Sequence, residues 1–239
     1  MSRFAEALAA ADTPVIAEVK ATTGTGADLL GGRSPADVVA AYHDAGVACL
    51  SVVTGRWFGG SPDLLRAVTA GTNLPVLQKD FVVRAAQVTA ARELGASAVL
   101  LTAQLLTTGT LRHLVEHALA LGLTPFVEVT TADEIAAVPH AADCVVAVNN
   151  KNIRTRERDG ADLGRSLRLL PAVLASGTGL PVSASGVAGP GDGARLLAAG
   201  YRGLLVGTSL LRAADPRAWV AELSRLESGQ EDRHAWTRR

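Results

Sequence analysis

Apolar positions along the chain fall into two alternating patterns. Short runs that are apolar almost throughout recur at Pro14–Lys20, Ala48–Val53, Pro75–Gln78, Ala98–Thr102, Pro125–Val129, Cys144–Val148, Pro181–Ser185 and Gly203–Val206. Each is too short for a free-standing helix, so each predicts a buried strand. Between them lie longer stretches with apolar residues at helical spacing: Pro35–Ala45, Ser61–Ala70, Val83–Leu94, Thr108–Leu121, Ala132–Ala137, Leu163–Leu174, Pro190–Ala199 and Pro216–Leu226. Ser34-Pro35, Ser61-Pro62 and Asp215-Pro216 each place a cap residue before a proline suited to the first helical turn. Gly46, Gly95, Gly122 and Gly200 stand where helices commonly end.

Strands that are apolar on both faces belong in a parallel sheet covered by helices. A doubly wound open sheet competes with a closed barrel. Eight evenly spaced strand-helix units favour closure, and no G-x-G-x-x-G follows the first strand to support a dinucleotide site. The expected fold is therefore α/β, a single-domain (βα)8 TIM barrel over residues 14–227. A short N-terminal segment, 1–13, precedes it and a charged tail, 228–239, follows it; Gly24–Gly32 reads as a glycine-rich loop after the first strand.

Composition narrows the partners. The 239 residues are 48% hydrophobic, enough for one large core, and the formal net charge is zero. No global basic field is present to recruit nucleic acid or an anionic membrane, so the expected partner is a small molecule and the expected state a monomer or homodimer. Cys49 and Cys144 sit inside apolar runs and form no metal-type cluster. No secretory leader or membrane-length apolar run is visible. These features predict a cytoplasmic protein with reduced thiols.

The candidate chemistry lies where polar residues interrupt the strand pattern. The chain has only three lysines, Lys20, Lys79 and Lys151, against twenty arginines, and all three fall at or just past the ends of the first, third and sixth strands. That is the face on which TIM barrels carry their active sites. Lysine also differs from arginine in having a pKa that burial can lower, which suits proton transfer. Glu18 and Glu128 interrupt the first and fifth strands, where an ionised side chain is costly unless paired. Glu18 and Lys20 are two residues apart and share a strand face, so each can offset the other. Asn149 ends the sixth strand and can present an amide to the same cavity, or share a turn or cap role with Asn150. "SASG" (Ser183–Gly186) and "VGTSL" (Val206–Leu210) end the last two strands, the usual barrel location for phosphate. Gly186 and Gly207 permit close backbone approach, and Ser185, Thr208 and Ser209 can add hydroxyl donors.

In order, "IAEVK", "SVVTGRWFGGS", "PVLQKDFVV", "AVLLTAQLL", "PFVEV", "AVNNKNIRT", "VSASGV" and "LLVGTSLLR" resemble the indole-3-glycerol phosphate synthase family of the tryptophan pathway, from about residue 14 to residue 223. The resemblance implies a (βα)8 barrel that closes the ring of 1-(2-carboxyphenylamino)-1-deoxyribulose 5-phosphate with loss of carbon dioxide and water, without metal or organic cofactor. It implies Lys79 as the general acid on the ribulose carbonyl, Lys20 as the holder of the substrate carboxylate, and Glu18 as the completion of the polar network. By the same resemblance Glu128 assists acid/base work in dehydration and Asn149 holds sugar hydroxyls. Thr23, Ser185, Gly186, Gly207 and Thr208 surround the phosphate, with Phe81 and Lys151 as further substrate contacts.

The sequence also departs from the family pattern. The strand-seven motif normally carries a glutamate where this chain has Ala184; Thr23-Gly24-Thr25 replaces S-P-S; Gly55 replaces an acidic residue; and the segment before the first strand, which in the family adds a helix over the active site, is short. Three readings remain open: a synthase-type carbon–carbon lyase, acting on the ordinary substrate or a close analogue, a related phosphosugar barrel enzyme of the isomerase type, and a non-catalytic binder of a phosphorylated ligand.

Overall fold

The computed structural model describes residues 2–23, 25–151 and 160–236. Gly24, the part of the "AVNNKNIRT" motif from Asn152 onward, and the last three residues of the tail lie outside the described residues. Eight strands form a closed barrel in sequence order, each parallel to its neighbours. They are β1 (Val15–Val19), β2 (Cys49–Val53), β3 (Val76–Lys79), β4 (Ala98–Thr102), β5 (Thr124–Val129), β6 (Val145–Asn149), β7 (Leu180–Ala184) and β8 (Gly203–Val206). The helices are α1 (Arg3–Ala10), α2 (Pro35–Asp44), α3 (Pro62–Ala70), α4 (Ala85–Glu93), α5 (Thr108–Ala120), α6 (Ala132–Ala136), α7 (Leu163–Ala175), α8 (Pro190–Ala199), α9 (Thr208–Leu211) and α10 (Pro216–Trp236). This is the single-domain (βα)8 barrel that the alternation of patterns predicts.

The local signals act as expected. Ser34 and Asp37 close a reciprocal capping box around Pro35, with Asp37 N–H donating to Ser34 Oγ at 3.2 Å and Ser34 N–H to Asp37 Oδ2 at 2.9 Å. Ser61 Oγ accepts from Leu64 N–H, and Asp215 Oδ1 from Arg217 N–H. Gly46, Gly95, Gly122 and Gly200 all have positive φ, the conformation that ends a helix without a Cβ penalty.

Two apolar clusters divide the molecule. Outward strand residues such as Val15, Ala17 and Val19 pack under the helices, whereas Ile16, Cys49, Leu77, Phe126, Val145, Val182 and Leu205 fill the barrel interior. Because alternate strand residues share a face, the interior set fixes what stands above it: Glu18 over Ile16, Lys79 over Leu77, Glu128 over Phe126, Ala184 over Val182. The barrel is thus apolar at its N-terminal end and polar at its C-terminal end.

Helix α1 closes the apolar end. The sequence reading leaves residues 1–13 as an unassigned segment, but Phe4 and Leu8 are fully buried in the interior cluster, and the Phe4 ring meets Phe126 edge-on at 6.3 Å. Ser2 hydrogen-bonds Thr124, and Arg3 reaches the Asn73 carbonyl. Gly203 lies beneath it, where a Cβ would stand 3.3 Å from the Leu8 methyls.

Candidate active site

The C-terminal ends of the strands open into a cavity of about 440 Å³ lined by Glu18, Lys20, Lys79, Lys151, Ser185, Gly186, Val187, Ala188, Leu205, Gly207, Thr208, Ser209 and Arg212. All three lysines of the chain therefore meet at one site. At its floor Glu18 forms ion pairs with two of them: Lys20 Nζ lies 2.9 Å from Oε1 and Lys79 Nζ 3.2 Å from Oε2. Burial alone would raise the Glu18 carboxyl, but the Lys20 and Lys79 charges and hydrogen bonds outweigh it and bring the pKa down from 4.5 to about 2. Glu18 is consequently a fixed negative charge that holds two ammonium groups, and it carries no proton to exchange near neutral pH. Lys20 also sits 5.6 Å from the centroid of the Phe58 ring.

Glycine at 207 is required by this floor. A Cβ there would lie 2.5 Å from Glu18 Oε1, so only glycine lets the carboxylate tuck under the end of β8. The Tyr42 hydroxyl donates to the Glu18 carbonyl at 3.2 Å from α2.

Glu128 and Asn149 are buried at the ends of β5 and β6, on the inward face, and are not among the residues that line the cavity. Asn149 Oδ1 accepts from Lys151 N–H at 2.9 Å, which turns its NH₂ end the other way. Arg165 of α7 clamps the same strand end, donating to the carbonyls of Asn149 (2.6 Å) and Lys151 (3.2 Å). Ala184 is fully buried beside Asn149 and Leu205 in the ladder, and Glu18 is the one carboxylate among the described residues of the cavity lining.

The two strand ends proposed for phosphate lie side by side. Ser185 and Gly186 follow β7 with φ of 67° and 82°, and Gly207 and Thr208 follow β8. Thr23 and Phe81 are not among the cavity-lining residues. Thr23 Oγ1 accepts from Ala27 N–H at 3.0 Å and meets Thr25 Oγ1 at 2.8 Å within its own loop. The Phe81 N–H donates to Asp80 Oδ1, whose other oxygen accepts from Thr54. Sequence reasoning missed Arg212, which lines the cavity beyond α9. One arginine among twenty carries no signal of its own; its place just past the eighth strand was the only available cue.

A closed parallel barrel with a cationic mouth at the C-terminal ends of its strands defines the chain as a TIM-barrel protein built to receive an anionic small molecule. The family model for indole-3-glycerol phosphate synthase matches residues 1–223. Curated proteins named indole-3-glycerol phosphate synthase are similar along most of their length. That of Kineococcus radiotolerans is 40% identical over 210 residues, 87% of this chain and 75% of the relative. That of Mycolicibacterium gilvum is 38% identical over 218 residues, 91% and 78% of the two chains. Among solved structures, the 3-hexulose-6-phosphate synthase of Salmonella typhimurium superposes with a TM-score of 0.69 at 13% identity, covering 90% of this chain and 98% of that one, a likeness of fold alone. The chain belongs to the indole-3-glycerol phosphate synthase family.

Proposed function

We propose that this cavity carries out the family's ring closure with Lys79 as general acid, and the observation that carries the assignment is the double ion pair of Glu18 with Lys20 and Lys79. The protein is a carboxy-lyase of the indole-3-glycerol phosphate synthase type. It acts on 1-(2-carboxyphenylamino)-1-deoxyribulose 5-phosphate, whose phosphate of about −1.5 to −2 and single carboxylate together approach three negative charges. Among the described residues the lining offers Lys20, Lys79, Lys151 and Arg212 against Glu18, an excess of three positive charges.

In the first step the ring carbon bearing the carboxylate attacks the ribulose carbonyl. Lys79 donates its proton to the oxygen as charge develops there, and Glu18 holds the ammonium in line. Lys20 keeps the departing carboxylate in place until carbon dioxide leaves and the ring regains aromaticity. In the last step the new hydroxyl leaves as water, with Lys79, reprotonated from solvent after carbon dioxide has left, supplying the proton and Glu128 taking one from the adjacent carbon. Asn149 steadies the sugar hydroxyls through its NH₂ end. Ser185, Gly186, Gly207 and Thr208 hold the phosphate, with Lys151 at the rim. Alanine at 184, in place of the family's strand-seven glutamate, suits a synthase that takes a ring-substituted analogue in secondary metabolism.

The working unit is a monomer or homodimer. Among the described residues no helix is long and apolar enough to cross a membrane. Cys49 and Cys144 are free thiols pushed up to about 12 by burial, in keeping with a reducing cytoplasm.

Lys79 is the residue on which the assignment turns. Lys79→Ala should abolish turnover and leave the affinity for inorganic phosphate within about twofold, because the acid acts on charge that develops only in the transition state. Lys79→Arg should not rescue it, since a guanidinium does not release a proton near neutral pH. Either variant retaining more than roughly a tenth of the parent kcat, a loss below about 1.4 kcal/mol, would remove Lys79 from the role.

A further inference from the structure

We propose that Asn150, which does not line the cavity, is the positioning residue that aims the backbone of Ser185 and Gly186 at the substrate phosphate; the inference rests on the phosphate reading of the β7 end. Asn150 follows β6 and is 1% exposed. Its Nδ2 donates to the Ala184 carbonyl and the Ser185 carbonyl, both at 3.1 Å, and to Ser183 Oγ at 3.0 Å. Its Oδ1 accepts from Ser166 N–H at 3.2 Å and Ser166 Oγ at 2.9 Å, and Ser166 Oγ meets Ser183 Oγ at 2.8 Å. The Tyr201 hydroxyl anchors the far side, donating to the Ser166 carbonyl at 2.8 Å. A buried amide with both ends satisfied is a rigid hub joining β6, β7 and α7.

Its consequence for the site follows from peptide geometry. In a trans peptide the carbonyl and the following N–H point in opposite directions. Asn150 draws the Ala184 and Ser185 carbonyls toward β6, so the N–H groups of Ser185 and Gly186 turn away from β6, and both residues line the cavity. Neither N–H has a backbone acceptor among the described residues. Ser185 also holds a φ of 67°, a left-handed conformation rare for a residue with a Cβ, and Gly186 follows at 82°. Successive backbone N–H groups turned toward one concavity at a strand end can hold an anion. The hub maintains this conformation against the preference of Ser185 for extended backbone.

The test compares Asn150→Ala, Asn150→Asp and Ser183→Ala with the parent, reading inorganic phosphate affinity by calorimetry and kcat and KM on the phosphorylated substrate. Asn150→Ala should weaken phosphate and raise KM by about tenfold, with kcat within about threefold, as expected for loss of orienting hydrogen bonds to a bound group. Asn150→Asp is nearly isosteric but offers an acceptor where two carbonyls need a donor, so it should bind phosphate no better than the alanine variant. Ser183→Ala removes one partner of the hub and should show a smaller shift in the same direction. Phosphate affinity equal to the parent's in every variant that folds, or a fall in kcat with KM unchanged, overturns the assignment. A parent that binds no phosphate overturns the phosphate reading itself, and the role of Asn150 with it.

Discussion

Two ammonium groups and one carboxylate, all nearly excluded from water, decide how the mouth of this barrel behaves. Glu18 is lowered to about 2 in the folded protein from an ordinary 4.5, so its ionised form stabilises the fold at any pH above about 4.5. That contribution is lost as the pH falls toward 2, because the unfolded chain then binds the proton more readily. Glu18→Gln should cost about 3 to 5 kcal/mol in urea denaturation at pH 7, since it leaves Lys20 and Lys79 buried without their counter-charge. The variant should also lose the acid limb of stability that the parent shows between pH 4.5 and 2; a parent and variant with parallel acid limbs would mean that Glu18 is not held by the two lysines. The pairing was half legible in the sequence. Lys20 stands two residues from Glu18 on one strand face and could be expected beside it, but Lys79 arrives from a strand sixty residues away. The three lysines stood out because the chain otherwise uses arginine. Asn150 gave no such signal, since its partners lie 16 to 35 residues along the chain and become neighbours only when β6, β7 and α7 pack.

At the scale of elements, the eight strands were readable because a parallel strand is buried on both faces and so is written as an unbroken apolar run. Helices with a cap-and-proline start were equally clear. α1 was not, because "RFAEALAA" offers only Phe4 and Leu8 as large apolar residues, and nothing local says that they enter the bottom of a barrel. Their burial makes a direct prediction. Phe4→Ala should destabilise the protein by about 3 to 5 kcal/mol through lost burial and the cavity left against Phe126, while kcat and KM remain at parent values because the opposite end of the barrel is untouched. A loss below about 1 kcal/mol in urea denaturation would show that α1 is dispensable to the core. The far end of the chain also differs from the periodicity reading: α10 runs to Trp236, beyond Leu226 where the apolar spacing fades.

For the whole molecule, closure of the barrel is what turns scattered polar interruptions into a site. Residues 18, 79, 128 and 149 are far apart in sequence, but parallel register places each on the inward face above an apolar floor, and the loops after β7 and β8 bring their glycines alongside. The resulting mouth is cationic in a protein whose net charge is zero, so the field is local to the ligand, as a small trianionic substrate requires. The most direct measurement is to incubate the purified protein with 1-(2-carboxyphenylamino)-1-deoxyribulose 5-phosphate and follow indole fluorescence and released carbon dioxide together. One carbon dioxide per indole formed, with neither produced by Lys79→Ala, is the predicted result. A compound that is bound and returned unchanged, or isomerised without loss of carbon dioxide, would contradict it.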